Sequence, residues 1–123
     1  MAVFAVRGAT SVESDNVAQV TERVIELYER IVKSNQIERM ISILFSVTPD
    51  IRSINPATVL RQKFILSDVS LMCFQEAMFG NSMPKIIRIV AFFEGKGMNF
   101  IYLHRAKQLR EDLNPSSLDL EWT

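Results

Sequence analysis

The chain carries little with which to do covalent or metal chemistry. It holds one cysteine and one histidine in 123 residues. A lone cysteine excludes an internal disulfide, and with a single histidine it leaves a zinc centre a poor fit. Fourteen Lys and Arg are balanced by fourteen Asp and Glu, so there is no basic footprint for nucleic acid, and any anion must be held by a local cluster. No apolar run approaches the ~20 residues of a membrane span. The stretch Met1 to Arg7 lacks a charged region ahead of its short apolar segment and does not read as a secretory signal. A Gly-rich phosphate loop, a metal-spaced cluster and a Ser-His-Asp set are also absent from the pattern. The expectation is a cytoplasmic protein in a reducing compartment, with no metal and no membrane partner.

Apolar residues make up 48% of the chain, enough for one domain with a real core. Val3 to Val6 reads as a strand ending in a turn at Arg7-Gly8-Ala9-Thr10. Val17, Val20, Val24, Tyr28 and Ile31 recur at helical spacing, with Glu22, Arg23, Glu26, Glu29 and Arg30 largely opposite. That predicts an amphipathic helix over 14–34, capped by Ser14 or Asp15. Met40 to Val47 suits a buried strand stopped by Thr48-Pro49-Asp50, and Pro56 opens a short helix carrying Ala57, Val59, Leu60 and Arg61. Strands follow over 69–74, 85–93 and 99–109, the last two joined by a turn near Gly95-Lys96-Gly97. The prediction is α+β: a mixed sheet with one long and one short helix, residues 1–113 forming the domain and 114–123 a flexible tail. One long helix cannot cover so much sheet, so self-association is expected to bury the rest.

Arg88 lies inside the apolar run Ile86-Ile87-Arg88-Ile89-Val90. A guanidinium cannot shed its proton, so a buried one needs an anion or strong acceptors. Glu76 can supply the anion as a structural pair, or a negatively charged ligand can. Arg7, Arg61 and Arg110, each taken alone, read as surface or element-end charges. Cys73 taken alone is a small core residue, Tyr102 packs its ring with its hydroxyl outward, and His104 is an exposed strand residue. The six methionines read as core filling. Taken together, these arginines, carboxylate, thiol and phenol are poor in nucleophiles and bases but suited to holding a small polyanion.

Val6-Arg7-Gly8-Ala9-Thr10, Thr48-Pro49-Asp50, Pro56-Ala57 with Arg61, Cys73-Phe74-Gln75-Glu76, Ile87-Arg88, Tyr102-Leu103 and Leu109-Arg110 with Asp112-Leu113 run in order along the chain. In that order and spacing they closely resemble the monofunctional, trimeric chorismate mutases of the AroH type, from about Phe4 to Leu113. The resemblance implies a trimeric pseudo α/β-barrel with active sites in clefts between subunits of a homotrimer. It also implies conversion of chorismate to prephenate, in the shikimate pathway of aromatic amino-acid biosynthesis, by a concerted [3,3] rearrangement without cofactor.

Carried over by position, Arg88 would donate to the ether oxygen, Arg7 would bind a carboxylate with help from Tyr102, and Glu76 would accept from the ring hydroxyl beside Cys73. Arg61 and Arg110 would draw in the dianion, and Ala57 would line the wall. Asn55, Thr58 and Glu111 depart from the family pattern, which usually has an apolar residue, a lysine and a proline there; substrate binding is where they would tell. Two alternatives use the same arginines or a similar architecture: a non-catalytic trimeric module binding a small carboxylated metabolite, and an imine deaminase of the RidA type.

Overall fold

The computed structural model describes residues 2–113; the expected tail at 114–123 lies outside them. Five strands form one sheet in the order β3-β2-β4-β1-β5, with β1 spanning Val3–Ser11, β2 Gln36–Val47, β3 Ser70–Gln75, β4 Ile86–Lys96 and β5 Ile101–Tyr102. Helices α1 (Val17–Ser34) and α2 (Pro56–Lys63) connect β1 to β2 and β2 to β3. β4 runs antiparallel between β1 and β2, while β3 and β5 join the two edges in parallel. A 3₁₀ segment, His104–Leu113, closes the described chain, interrupted at Arg110.

Side chains alternate across the sheet. On one face Val6, Ile43, Phe45, Ile87, Ile89, Ala91 and Phe93 pack against Val20, Val24, Leu27 and Ile31 of α1 and against Val59 and Leu60 of α2. Val17, expected in this stripe, is half exposed because it sits at the first helical position. Arg23, expected on the outer face, is buried. Its guanidinium donates to the carbonyl of Ser11 and to Glu13 Oε2, 2.8 Å away, as α1 crosses the end of β1. The helix is capped by Asn16, whose Oδ1 accepts the N–H of Gln19 at 2.8 Å, one residue beyond the expected caps.

Among the described residues the other face of the sheet has no helical layer. Val3, Ala5, Arg7 and Ala9 of β1 share it with Glu94, Phe92, Val90 and Arg88 of β4. Leu44, Met72 and Phe74 extend it toward the β3 edge. The 3₁₀ segment covers one end, where Ala106 packs with Ala9 and Ile86 against Tyr102 and Leu109. Met72 on this face, and Met78 and Met98 in loops, are exposed, so methionine is not confined to core filling.

Two predicted elements differ. Arg7-Gly8-Ala9-Thr10 is not a turn but the middle of β1, hydrogen-bonded on both sides by β4 and β5. The predicted strand over 99–109 reduces to Ile101–Tyr102, after which His104 turns with φ 54° into the 3₁₀ segment. Leu103, Ala106 and Leu109 then recur every three residues, the repeat of a 3₁₀ helix. His104 therefore leaves the sheet, and its Nε2 lies 2.8 Å from Glu26 on α1.

Thr48-Pro49-Asp50 does more than stop β2. Thr48 Oγ1 accepts the N–H of Ile86 at 3.0 Å and donates to Asp50 Oδ1, while the Asp50 carboxylate accepts the N–H of Lys85 at 3.1 Å. Lys85 is held at φ 54°. The motif thus clamps the start of β4, two residues before Arg88.

Candidate active site

Alternation along β4 sends Ile87 and Ile89 into the core and Arg88 to the open face. The arginine is not buried, as its apolar neighbours suggested; its side chain is 41% exposed. Glu76 stands one residue past β3. Its N–H donates to the carbonyl of Val47 at 2.7 Å, extending the β2–β3 ladder by one step. Its carboxylate accepts Arg88 Nε at 2.8 Å. The ion pair expected from sequence forms, and because the bond to Glu76 uses Nε, the terminal nitrogens are the donors Arg88 can offer to a ligand.

Arg88 lies in a row that crosses every strand: Phe74, Ser46, Arg88, Ala9 and Tyr102 are successive register partners. Ser46 and Ala9, on either side of the arginine, are small and leave its guanidinium room to move sideways. Arg7 is the next open-face residue along β1, with its guanidinium 5.3 Å from the ring centre of Phe100. Arg110 sits 5.9 Å from the ring centre of Tyr102, in the 3₁₀ segment rather than after a strand. The fold thus gathers Arg7, Arg88, Tyr102 and Arg110 on the open face from the sheet centre to β5, with Glu76 meeting Arg88 on that face from the β3 edge. Glu111 follows Arg110, but its side chain lies outside the described residues.

Asn55, Ala57, Thr58, Arg61 and Cys73 form a separate group at the opposite edge. Cys73 faces the helix layer from β3 and shares a shallow groove with Val47, Ile51, Arg52 and Asn55. Burial pushes its thiol above the usual range, so it stays protonated at neutral pH. Asn55 caps α2: its Oδ1 accepts the N–H of Ala57 at 2.8 Å. Ala57 itself is buried in the core. Arg61 donates to Thr58 Oγ1 at 3.4 Å and borders a groove formed with Phe64, Leu66 and Leu71. Adjacent strands lie about 4.8 Å apart, so four spacings put Tyr102 roughly 19 Å from β3. Tyr102 therefore does not meet that group within one chain, whereas Glu76 stands three residues past Cys73 with its carboxylate on the opposite face.

Sequence reasoning missed Ser46, whose Oγ lies 3.3 Å from Glu76 Oε1. The signal was available: Ser42, Leu44 and Ser46 alternate along β2 with the buried Ile43, Phe45 and Val47.

The family model for chorismate mutase type I matches residues 3–113. The chain belongs to the type I chorismate mutases. It is 28% identical over 120 residues to chorismate mutase AroH of Bacillus subtilis strain 168, covering 93% of this chain and 94% of the relative. It is 30% identical over 118 residues to chorismate mutase AroH of Thermus thermophilus, covering 90% and 96%. A solved chorismate mutase from Clostridium thermocellum superposes with a TM-score of 0.79 at 27% identity, covering 85% of this chain and 98% of that one.

This chorismate mutase is therefore an isomerase of aromatic amino-acid biosynthesis, with chorismate as substrate and prephenate as product. The non-catalytic module and the imine deaminase give way to it. Among the described residues no helix is long and apolar enough to cross a membrane, and no cluster of His, Cys, Asp or Glu has the arrangement to hold a metal ion. The side chains of the site supply charge and hydrogen bonds rather than a nucleophile, which suits a rearrangement within one molecule.

Proposed function

We propose that this chorismate mutase acts in the cytoplasm as a homotrimer, with each active site at an interface between subunits. The observation that carries this reading is the separation of the two residue groups. Arg7, Glu76, Arg88, Tyr102 and Arg110 lie on the open face, whereas Asn55, Thr58, Arg61 and Cys73 lie on the helix side at the β3 and α2 edge. A second copy can set its β3 and α2 edge against the open face of the first and close the two groups around one small dianion. The apolar open face, with Phe92, Val90, Leu44 and Met72, supplies the surface that assembly would bury.

In this reading chorismate rearranges without a covalent intermediate or proton transfer: its ether carbon–oxygen bond breaks as a carbon–carbon bond forms. The enzyme must hold the flexible dianion folded and answer the negative charge that grows on the ether oxygen. Arg88, fixed through Nε by Glu76, donates from a terminal nitrogen to that oxygen. Arg7 binds a carboxylate and Tyr102 adds its hydroxyl. Glu76 accepts from the ring hydroxyl beside Cys73. Arg61 and Arg110 draw the dianion in, and the α2 residues Asn55, Ala57 and Thr58 form the facing wall.

The test is loss of the ultraviolet absorbance of chorismate, with Arg88→Ala as control, and sedimentation of the same preparation. Rapid conversion by a trimer that disappears in the control is expected. Full activity from a monomer would overturn the interfacial site.

A further inference from the structure

We propose that Ser46 is a positioning residue for the rearrangement: it fixes the Glu76 carboxylate so that one oxygen serves Arg88 and the other is left to the substrate. The inference rests on the reading of Glu76 as acceptor of the ring hydroxyl, and extends it to a residue given no role so far. Ser46 Oγ donates to Glu76 Oε1 at 3.3 Å, and Arg88 Nε donates to the same oxygen at 2.8 Å. Both ordinary acceptor directions of Oε1 are then taken. Among the described residues no hydrogen bond to Oε2 is recorded, so this is the oxygen the carboxylate can offer.

The backbone enforces the arrangement. Ser46 is the register partner of Arg88 on β4 and of Phe74 on β3, and Glu76 is anchored by its N–H to the carbonyl of Val47, the residue after Ser46. Serine, acid and arginine are therefore held on three adjoining segments with little freedom to slide. Without the hydroxyl, the carboxylate can rotate and take a second bond from the Arg88 guanidinium in the bidentate manner such pairs favour. That rotation would turn Oε2 to the arginine and withdraw both it and an arginine donor from substrate. The serine thus keeps the pair monodentate.

The experiment is a double-mutant cycle read as kcat/KM for chorismate, on Ser46→Ala, Glu76→Ala and the double variant, with Ser46→Thr as a conservative control. Ser46→Ala is expected to slow the enzyme by about three- to tenfold, in keeping with a modest hydrogen bond to a charged group. Its thermal midpoint should be nearly unchanged, and Ser46→Thr, which keeps the hydroxyl on a residue favoured in strands, should recover most of the loss. In the Glu76→Ala background the serine substitution should cost less than about twofold, the non-additivity of a residue acting through its partner. Equal losses in the two backgrounds would overturn the proposal while leaving Glu76 in its role. If Glu76→Ala alone keeps nearly full activity, the reading of Glu76 fails and the role of Ser46 falls with it.

Discussion

Gly8 and Ile101 touch backbone to backbone. A Cβ placed on Gly8 would lie 2.5 Å from the Ile101 carbonyl oxygen and 3.3 Å from side-chain atoms of Ile89 and Leu27. The glycine is what lets the short strand β5 lie against β1, and β5 carries Tyr102 to its place beside Ala9. Gly8→Ala is expected to push β5 away, since the obstacle is main chain that cannot swing aside. Stability should fall by about 1–3 kcal/mol, the usual cost of overpacking, and turnover should drop with it as Tyr102 and Arg110 are displaced. Urea denaturation and steady-state kinetics on the same variant check both parts.

The same glycine shows where the sequence is easy to misread. Arg7-Gly8-Ala9-Thr10 has the look of a turn because glycine usually breaks strands. In an internal strand it can instead mark the close approach of another backbone, and that depends on β5, some ninety residues on. Long periodic elements were legible: α1 from its stripe of Val20, Val24, Tyr28 and Ile31, and α2 from Pro56 at its first turn. The segment after Asn99 was not, because Ile101 and Leu103 satisfy a strand pattern while Leu103, Ala106 and Leu109 satisfy a period of three. The family and its reaction were legible through the motif order. The division of the candidate residues between the two faces of the sheet was not, because spacing along the chain does not say which face a residue takes. Ser46 escaped for a related reason: alternation along β2 puts it opposite the core residues, but its role shows only when its partner across the sheet is known.

Arg88→Lys keeps the charge and loses the fork. A lysine has no Nε fixed at one side with terminal donors at the other; it has a single ammonium. It must choose between Glu76 and the ether oxygen. The expected loss in kcat is about 10²–10³, the usual effect of removing a preorganised donor at developing negative charge, with a smaller change in KM. Stopped-flow absorbance at saturating chorismate measures it, and turnover near that of the parent enzyme would remove Arg88 from the ether oxygen.

Cys73 offers a contrasting prediction. Its thiol is raised by burial, so the thiolate is scarce at neutral pH and the sulfur contributes packing rather than nucleophilicity. Alkylation by iodoacetamide should be slower than that of a free thiol at pH 7 and quicken only in alkali. Cys73→Ser should retain turnover within about tenfold, far from the effect at Arg88. Complete loss of turnover in a folded Cys73→Ser variant would mean that the sulfur takes part in the chemistry.

The open face makes a prediction about assembly. Phe93 is buried against the helices, whereas its neighbour Phe92 points to the open face and remains partly exposed. Phe92→Glu places a charge on that face without entering the core. If copies pack there, the charge must be desolvated in the complex and association should fail. The variant is expected to keep its far-ultraviolet circular dichroism, sediment as a smaller species and lose turnover, because the two groups no longer meet. An unchanged sedimentation coefficient with full turnover would place the interface elsewhere.

Asp15 contributes to the response to acid. It accepts the N–H groups of Arg52 at 2.9 Å and Ser53 at 3.1 Å, joining the approach to α1 to the approach to α2. Burial alone would raise its carboxyl, but the hydrogen bonds from Ser53 and Arg52 and the Arg52 charge outweigh it and leave the carboxyl below the usual range. A group whose folded value is depressed binds its proton more readily when unfolded. Its stabilisation is therefore complete above the ordinary aspartate value, about 4, and fades as the pH falls through the lower folded value. Asp15→Asn, which cannot ionise, should be less stable than the parent at pH 7, and the gap should narrow below about pH 4. Urea midpoints measured across that range decide the matter: a constant gap would mean that Asp15 acts through its shape and not through its charge.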